Sequence, residues 1–95
     1  MNKRQIGKFS IDRDILDKIL NGEVLHFEDI LKHFIIVKAE MDFASNSVEY
    51  YAYSNLFEEL NIGHIVPYYT LYLTPYLSED KMKIIYVLRK VEKRD

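Results

Sequence analysis

The sequence predicts an α+β domain in which a three- to four-stranded antiparallel sheet carries one principal helix packed on one face. An amphipathic helical segment comes first in the chain, and segments with a hydrophobic period of two follow it, joined by short polar turns. A helix followed by consecutive strands is typical of α+β domains. The 95 residues contain no linker or repeat, so we expect residues 1–95 to fold as a single domain.

The principal helix is predicted over residues 12–21. Asp14 complements the helix dipole near its amino end, and Asn21-Gly22 supplies the left-handed residue that ends it. A second, shorter helical turn is predicted over residues 28–33, where apolar residues again recur three and four positions apart. The apolar face of the first helix, which would rest on the sheet, consists of Ile11, Ile15, Leu16, Ile19 and Leu20.

After the second helical turn the hydrophobic period changes to two, which indicates strands. The first strand is predicted over residues 34–43 and the second over 48–54, and the polar residues 44–47 between them predict a hairpin. Residues 54–63 follow with the pattern of a single helical turn, in which Asn55 is the cap.

Two further strands complete the predicted sheet. The third begins at Pro67 and runs to Thr74, and Pro75 after it favours an edge position or a bulge. A polar turn at residues 78–81 leads into the fourth strand, residues 82–91. Both faces of this last strand are apolar, which predicts a central strand or one covered by a partner or another copy.

The alternation divides the strand residues into two faces. The apolar face, predicted to lie under the helix, includes Ile35, Val37, Ala39, Met41, Val48, Tyr50, Ala52, Tyr69, Leu71 and Leu73. The opposite face collects five of the eight tyrosines, namely Tyr51, Tyr53, Tyr68, Tyr72 and Tyr76. Large aromatic side chains on the uncovered face of a sheet are the most informative feature of the sequence.

Three interpretations of the tyrosine face are open. The rings could simply cover their cross-strand neighbours, since tyrosine suits strands. They could form a contact surface for a protein partner or for self-association, because tyrosine is enriched at interface hot spots. Stacking of single-stranded nucleic acid is disfavoured, because the face shows one cation, Lys38, against Glu40, Asp42 and Glu49.

Although the net charge is only −2, both ends of the chain are basic and its middle segment is acidic. Spaced carboxylates could mimic nucleic-acid phosphates and occupy the basic groove of a nuclease-type effector. The modest net charge and the pI of 5.9 argue against a dedicated mimic. The candidate acidic surface consists of Asp12, Asp14, Asp17, Glu40, Asp42 and Glu49.

The sequence does not predict catalytic chemistry, a metal site or a cofactor. It has no cysteine, no glycine-rich phosphate loop and no nucleophile motif, and its histidines, His26, His33 and His64, show no recognised ligand spacing. No apolar run approaches the length of a membrane span, and the basic start is not followed by the apolar stretch of a secretory signal. We therefore expect a cytoplasmic protein with no membrane contact.

The segments "FIIVKAEMDF", "VEYYAYSNLFEEL" and "GHIVPYYTLYL" resemble a pattern found in small uncharacterised proteins of phages and other mobile elements. The resemblance covers about two fifths of the chain, between Phe34 and Leu73, and carries no functional residue. It implies a viral protein without enzymatic machinery that binds a host protein, as inhibitors of bacterial defence systems do. The predicted function is thus non-enzymatic protein binding through the tyrosine face; the alternatives are the acidic mimic and a structural homo-oligomer such as a homodimer.

Overall fold

The computed structural model describes residues 5–61 and 63–94 of the chain. Strand conformation dominates the described residues, and the helices are short. In chain order the elements are β1 (Ile6–Asp12), α1 (Arg13–Leu20), β2 (Val24–Leu25), α2 (Glu28–Leu31), β3 (Ile35–Asp42), β4 (Ser47–Tyr53), β5 (Tyr69–Leu77) and β6 (Ile84–Lys93).

The strands form two three-stranded sheets rather than the single sheet that the sequence predicts. The first sheet has the order β1-β4-β3 and is antiparallel throughout; the second has the order β2-β6-β5, with β2 parallel to β6. The sheets meet where Lys8 of β1 bridges Tyr68, and the Lys8 N–H donates to the Pro67 carbonyl at 3.0 Å. β1 of the first sheet therefore lies next to the start of β5 of the second, so the surfaces of the two sheets adjoin on both sides of the molecule.

One core lies between the sheets and the connecting segments. Phe9 and Ile11 of β1 and Ala52 of β4 reach it from the first sheet, and Tyr69 reaches it from the second. The remaining buried members come from β2, the α2 region and the loop after β4: Val24, Phe27, Ile30, Phe34 and Phe57. Aromatic rings supply most of its volume, with Phe9 4.8 Å from Phe34 between ring centroids.

The predicted helix over residues 12–21 is confirmed as α1, but its packing across one face of the sheet is not. None of its eight residues is fully buried, and Leu20 is 84% exposed. Ile15, Leu16 and Ile19 are partly buried against the core. Ile11, assigned to the helix face from its spacing, instead belongs to β1, which the sequence prediction missed. Gly7, Phe9 and Ile11 alternate as a strand requires, but Ile11 also fits the helical period that follows it.

The helical turn predicted over residues 54–63 is wrong for its described residues, 54–61 and 63, which are irregular. Ser54 Oγ accepts the Leu56 N–H at 3.1 Å, and the Phe57 ring is buried against Tyr69 at 4.4 Å between centroids. The segment is not helical because burial of the Phe57 ring, which fills the end of the core, outweighs the local helix propensity. Ile62 lies outside the described residues.

The hairpin of β3 and β4 and the central position of β6 are confirmed. Pro75 lies inside β5, an outer strand of its sheet, as its missing N–H requires. A register shift between Ile36 and Lys38 means that the predicted assignment of β3 residues to the two faces is wrong before Lys38. Ile36 opposes Ala52 on the core side, whereas Ile35 opposes Tyr53 and belongs to the tyrosine side.

Candidate functional site: a tyrosine–cation face

The five predicted tyrosines lie on the side of the sheets away from the core, which we call the tyrosine face. On β4, Tyr51 and Tyr53 flank buried Ala52. On β5, Tyr72 and Tyr76 have the opposite orientation to buried Tyr69 and its inward neighbours. Tyr68 precedes β5 at the junction of the two sheets, and its hydroxyl bonds to the Ser10 hydroxyl on β1. The tyrosine face therefore extends over both sheets.

Cations lie over the rings at the junction. Lys38 Nζ is 5.2 Å from the Tyr51 ring centroid, and Lys8 Nζ is 5.6 Å from the centroids of both Tyr51 and Tyr68. On the far side of Tyr68, Arg94 Cζ is 4.3 Å from the ring centroid. The three cations and two rings thus alternate across the junction, each within the range of a cation–π interaction.

The same alternation continues on the second sheet. Lys90 Nζ is 4.6 Å from the Tyr72 ring centroid, and Arg89 Cζ is 5.5 Å from that of Tyr76. Arg89 Nε also donates to Thr74 Oγ1 at 3.1 Å. The register shift in the β5–β6 ladder brings the consecutive residues Arg89 and Lys90 to one face, where strict alternation would separate them.

The prediction of a single cation on this face, Lys38, is wrong. Lys8 was missed because β1 was missed, and the β6 cations were missed because both faces of β6 looked apolar. The available signal was the basic end of the chain, six basic residues within 81–95. Three of them, Arg89, Lys90 and Arg94, lie beside the tyrosines.

Carboxylates concentrate at the other end of the tyrosine face. Glu40 and Glu49 are direct cross-strand partners in the β3–β4 ladder, and Asp42 follows one pair further along. Two like charges directly opposite each other are destabilising. These three carboxylates, with Met41 and Phe43, line a shallow groove of about 250 Å³.

The other predicted acidic residues have separate positions. Asp12 ends β1, opposite Ser47, on the same side as Glu49. Asp14 and Asp17 are exposed on α1, where Asp17 pairs with Arg13 at 3.8 Å. The structure therefore groups four of the six residues on the tyrosine face and leaves two on the helix. The basic residues at positions 3 and 4, part of the basic start of the chain, lie outside the described residues.

Hydrogen bonding and burial raise three pKa values on this face. A hydrogen bond to Glu40 raises the pKa of Lys38, and one to Glu92 raises that of Lys90. Burial raises the pKa of the Tyr68 hydroxyl, and the nearby Glu49 raises it further. Each shift favours the protonated form, so the cations and this hydroxyl keep their protons at neutral pH.

Acidification is expected to loosen the β3–β4 turn. The Asp42 carboxylate accepts the N–H groups of Ser45 and Ala44 at 3.4 and 3.1 Å, and hydrogen bonds from Ser45 hold the pKa of Asp42 below its ordinary value of 3.8. This stabilisation is complete above pH 3.8 and is lost as the pH falls through the folded-state pKa. The amide protection factors of Ala44 and Ser45 should fall over that range. In Asp42→Ala, which lacks the accepting oxygen, they should already be low at neutral pH and should not fall further on acidification.

Within residues 5–61 and 63–94, no group of three or more histidine or acidic side chains is arranged to hold a metal ion. The three histidines are exposed, and His26 Nδ1 lies 3.8 Å from Glu28. No helix in the described part of the chain is long and apolar enough to cross a membrane. No known protein-family profile, curated protein or solved structure matches the chain.

Proposed function

We propose that the chain is a non-enzymatic binding domain and that its tyrosine face contacts a protein partner. The observation that carries the proposal is that three large aromatic side chains on strands β4 and β5 are exposed: Tyr53 by 41%, Tyr72 by 41% and Tyr76 by 44%. Tyrosine supplies a large contact area with few rotatable bonds. Lys90 and Arg89 over two of these rings restrict them further, which lowers the entropy lost on binding.

The mixture of charges favours a protein over a nucleic acid. The part of the face on the second sheet carries three cations against Glu92, and the part on the first sheet carries four carboxylates against two lysines. A partner with both signs of charge can match such a surface. A phosphate backbone is attracted by one half and repelled by the other.

Single-stranded nucleic acid is the second candidate, because five cations interleave with the rings instead of one. Aromatic rings and basic side chains in alternation are the elements of a stacking platform. On this alternative the strand follows the second sheet, over Tyr68, Tyr72 and Tyr76, and avoids the carboxylates around Glu49. The two candidates predict different salt dependence, since phosphate binding weakens steeply as salt concentration rises.

The resemblance to small phage proteins suggests a host protein as the partner, for example one that acts in defence against phages. A host partner implies that the chain acts in the cytoplasm. The acidic-mimic alternative would instead depend on the carboxylates, including Asp14 and Asp17 of α1.

The test compares the wild type with the double variant Tyr53→Ala, Tyr72→Ala as bait in affinity capture from a cell extract. Proteins enriched only by the wild type are then purified and titrated. Since hot-spot tyrosines dominate binding energy, we expect the double variant to bind at least about 100-fold more weakly. Its thermal midpoint should stay within about 3 °C of the wild type, because both rings are outside the core.

The variant Asp14→Lys, Asp17→Lys is the matched control, since it changes two exposed residues on α1. If this control loses the partner and the tyrosine variant keeps it, the acidic mimic replaces the proposal. A labelled oligothymidine titrated against the same proteins separates the second candidate: binding that the tyrosine variant abolishes and salt weakens steeply would support nucleic acid. Equal capture of every protein by wild type and tyrosine variant would contradict binding through this face.

A further inference from the structure

The strand β3 is unusual because it contributes nothing to the core. None of its eight residues is buried, and none of its apolar side chains packs against the core cluster. Three consecutive apolar residues, Ile35, Ile36 and Val37, are 69%, 40% and 53% exposed. Phe43, immediately after the strand, is 83% exposed. The strand is held by its ladder to β4 and extends beyond the core.

β3 is also an outer strand of its sheet. In the order β1-β4-β3 it pairs with β4 on one side, and no strand of the described chain pairs with its other side. Its outward N–H and C=O groups therefore form a template for another strand. Because Ile35 and Ile36 point to opposite faces, a partner resting on one face would cover one of them, whereas an added strand brings side chains beside both.

The charges of β3 identify the strand that fits. In an antiparallel pairing of two copies related by a two-fold axis at Ala39, Lys38 of each copy lies directly opposite Glu40 of the other. Both pairs are attractive, and the small Ala39 permits close approach at the axis. This register also places the apolar start of each strand, Ile35–Val37, beside the end of the other, around Phe43.

Neighbouring symmetric registers are worse. A two-fold axis at Lys38 places two lysines opposite each other. An axis at Glu40 pairs Lys38 with Asp42 twice, but it also places two Glu40 carboxylates opposite each other at the axis. With an axis midway between Lys38 and Ala39, Val37 lies opposite Glu40 and no opposite charges are paired. Among these registers, the one centred on Ala39 is thus the one that pairs opposite charges without placing like charges opposite each other.

We infer that β3 is a homodimerisation edge, at which two copies of this chain join their first sheets into one six-stranded sheet centred on Ala39. The two-fold axis is perpendicular to the sheet, so both tyrosine faces lie on the same side of the dimer. Partner binding through Tyr53 and Tyr72 does not depend on this contact, because the tyrosine face remains accessible in the dimer. The inference therefore stands or falls independently of the proposed function.

The test uses two charge-reversal variants, each of which should weaken the dimer alone and which should form a dimer when mixed. Lys38→Glu places two carboxylate pairs across the axis, and Glu40→Lys places two ammonium pairs there. Each variant should dimerise at least about tenfold more weakly than the wild type, measured by light scattering across a concentration series. An equimolar mixture of the two variants should restore the dimer, because the carboxylate introduced at position 38 of one chain then lies opposite the ammonium introduced at position 40 of the other. The side chains of both residues are more than half exposed, so each variant should keep the wild-type circular dichroism.

A cysteine at the axis provides a second measurement, since the natural chain has none. Ala39→Cys should oxidise to a covalent dimer, because directly opposite residues bring their Cβ atoms within about 5 Å. Glu79→Cys, in the exposed β5–β6 turn, is the matched control and should not. A wild type that stays monomeric across the micromolar range overturns the inference, as does equal oxidation of both cysteine variants or a mixture of charge variants that stays monomeric.

Discussion

Replacing Phe9 with alanine is expected to lower the free energy of unfolding by about 3–5 kcal/mol. The Phe9 side chain is fully buried, with its ring centroid 4.8 Å from that of Phe34 and 5.5 Å from that of Tyr50. Removal of the ring eliminates these contacts and leaves a cavity between the first sheet and the α2 region. A small domain has a total stability of about 5–15 kcal/mol, so the variant should be close to unfolded.

Phe43→Ala is the matched control for this prediction. Phe43 is the same residue type but is 83% exposed, so its truncation should change the stability of the monomer by less than about 0.5 kcal/mol. Urea titrations followed by circular dichroism measure both variants at one low protein concentration. Equal effects of the two substitutions would mean that the core is not organised around Phe9.

The parts of the fold that the sequence predicts well are those in which one hydrophobic period applies without competition. Residues 34–43 and 48–54 alternate over their whole length and are joined by a short polar segment, so the β3–β4 hairpin is predictable. β1 is not predictable in the same way, because Ile11 belongs to two overlapping periods. The assignment to a strand is decided by pairing with β4, which is distant from β1 in the sequence.

The faces were harder to predict than the strands. A bulge adds one residue and exchanges the faces of everything beyond it, as happens at Val37 in β3 and at Arg89 in β6. The tyrosines were predictable because Tyr51, Tyr53, Tyr72 and Tyr76 lie in segments whose alternation is unbroken. The cations beside them were not predictable. The bulge brings Arg89 to the tyrosine face, and Lys8 lies on β1, a strand whose alternation overlaps the helical period that follows it.

Tyr69 provides the second large expected effect, and it distinguishes core tyrosines from those of the tyrosine face. Tyr69 is 2% exposed, its ring stacks on Phe57 at 4.4 Å, and its hydroxyl accepts the Glu58 N–H at 2.9 Å. Tyr69→Ala should lower the free energy of unfolding by about 3–5 kcal/mol. Tyr69→Phe should lower it by about 1–2 kcal/mol, because the Glu58 N–H then loses its acceptor.

Tyr72→Ala is the control, three residues along the same strand and on the other face. Its ring is 41% exposed, so truncation should lower the free energy of unfolding by less than about 1 kcal/mol. Similar large losses from Tyr69→Ala and Tyr72→Ala, measured by thermal and urea unfolding, would show that the tyrosine face is a second core. That result would contradict the proposed contact surface, because its rings would then be required for folding.

The close approach of Gly7 to Tyr69 allows a sharper form of the same test. A Cβ added at Gly7 would lie 2.7 Å from two atoms of the Tyr69 ring, so Gly7→Ala alone should destabilise the fold by about 1–3 kcal/mol. In a chain that already carries Tyr69→Ala, the nearer of the two obstructing rings is gone and the Phe57 ring, 3.0 Å from the added Cβ, remains. The added methyl group then occupies part of the cavity. Gly7→Ala should therefore be less destabilising in that background than in the wild type, a non-additivity that a double-mutant cycle measures directly. Additive effects would mean that β1 and β5 do not meet at this point, and the two sheets would not share the face that Lys8 and Tyr68 connect.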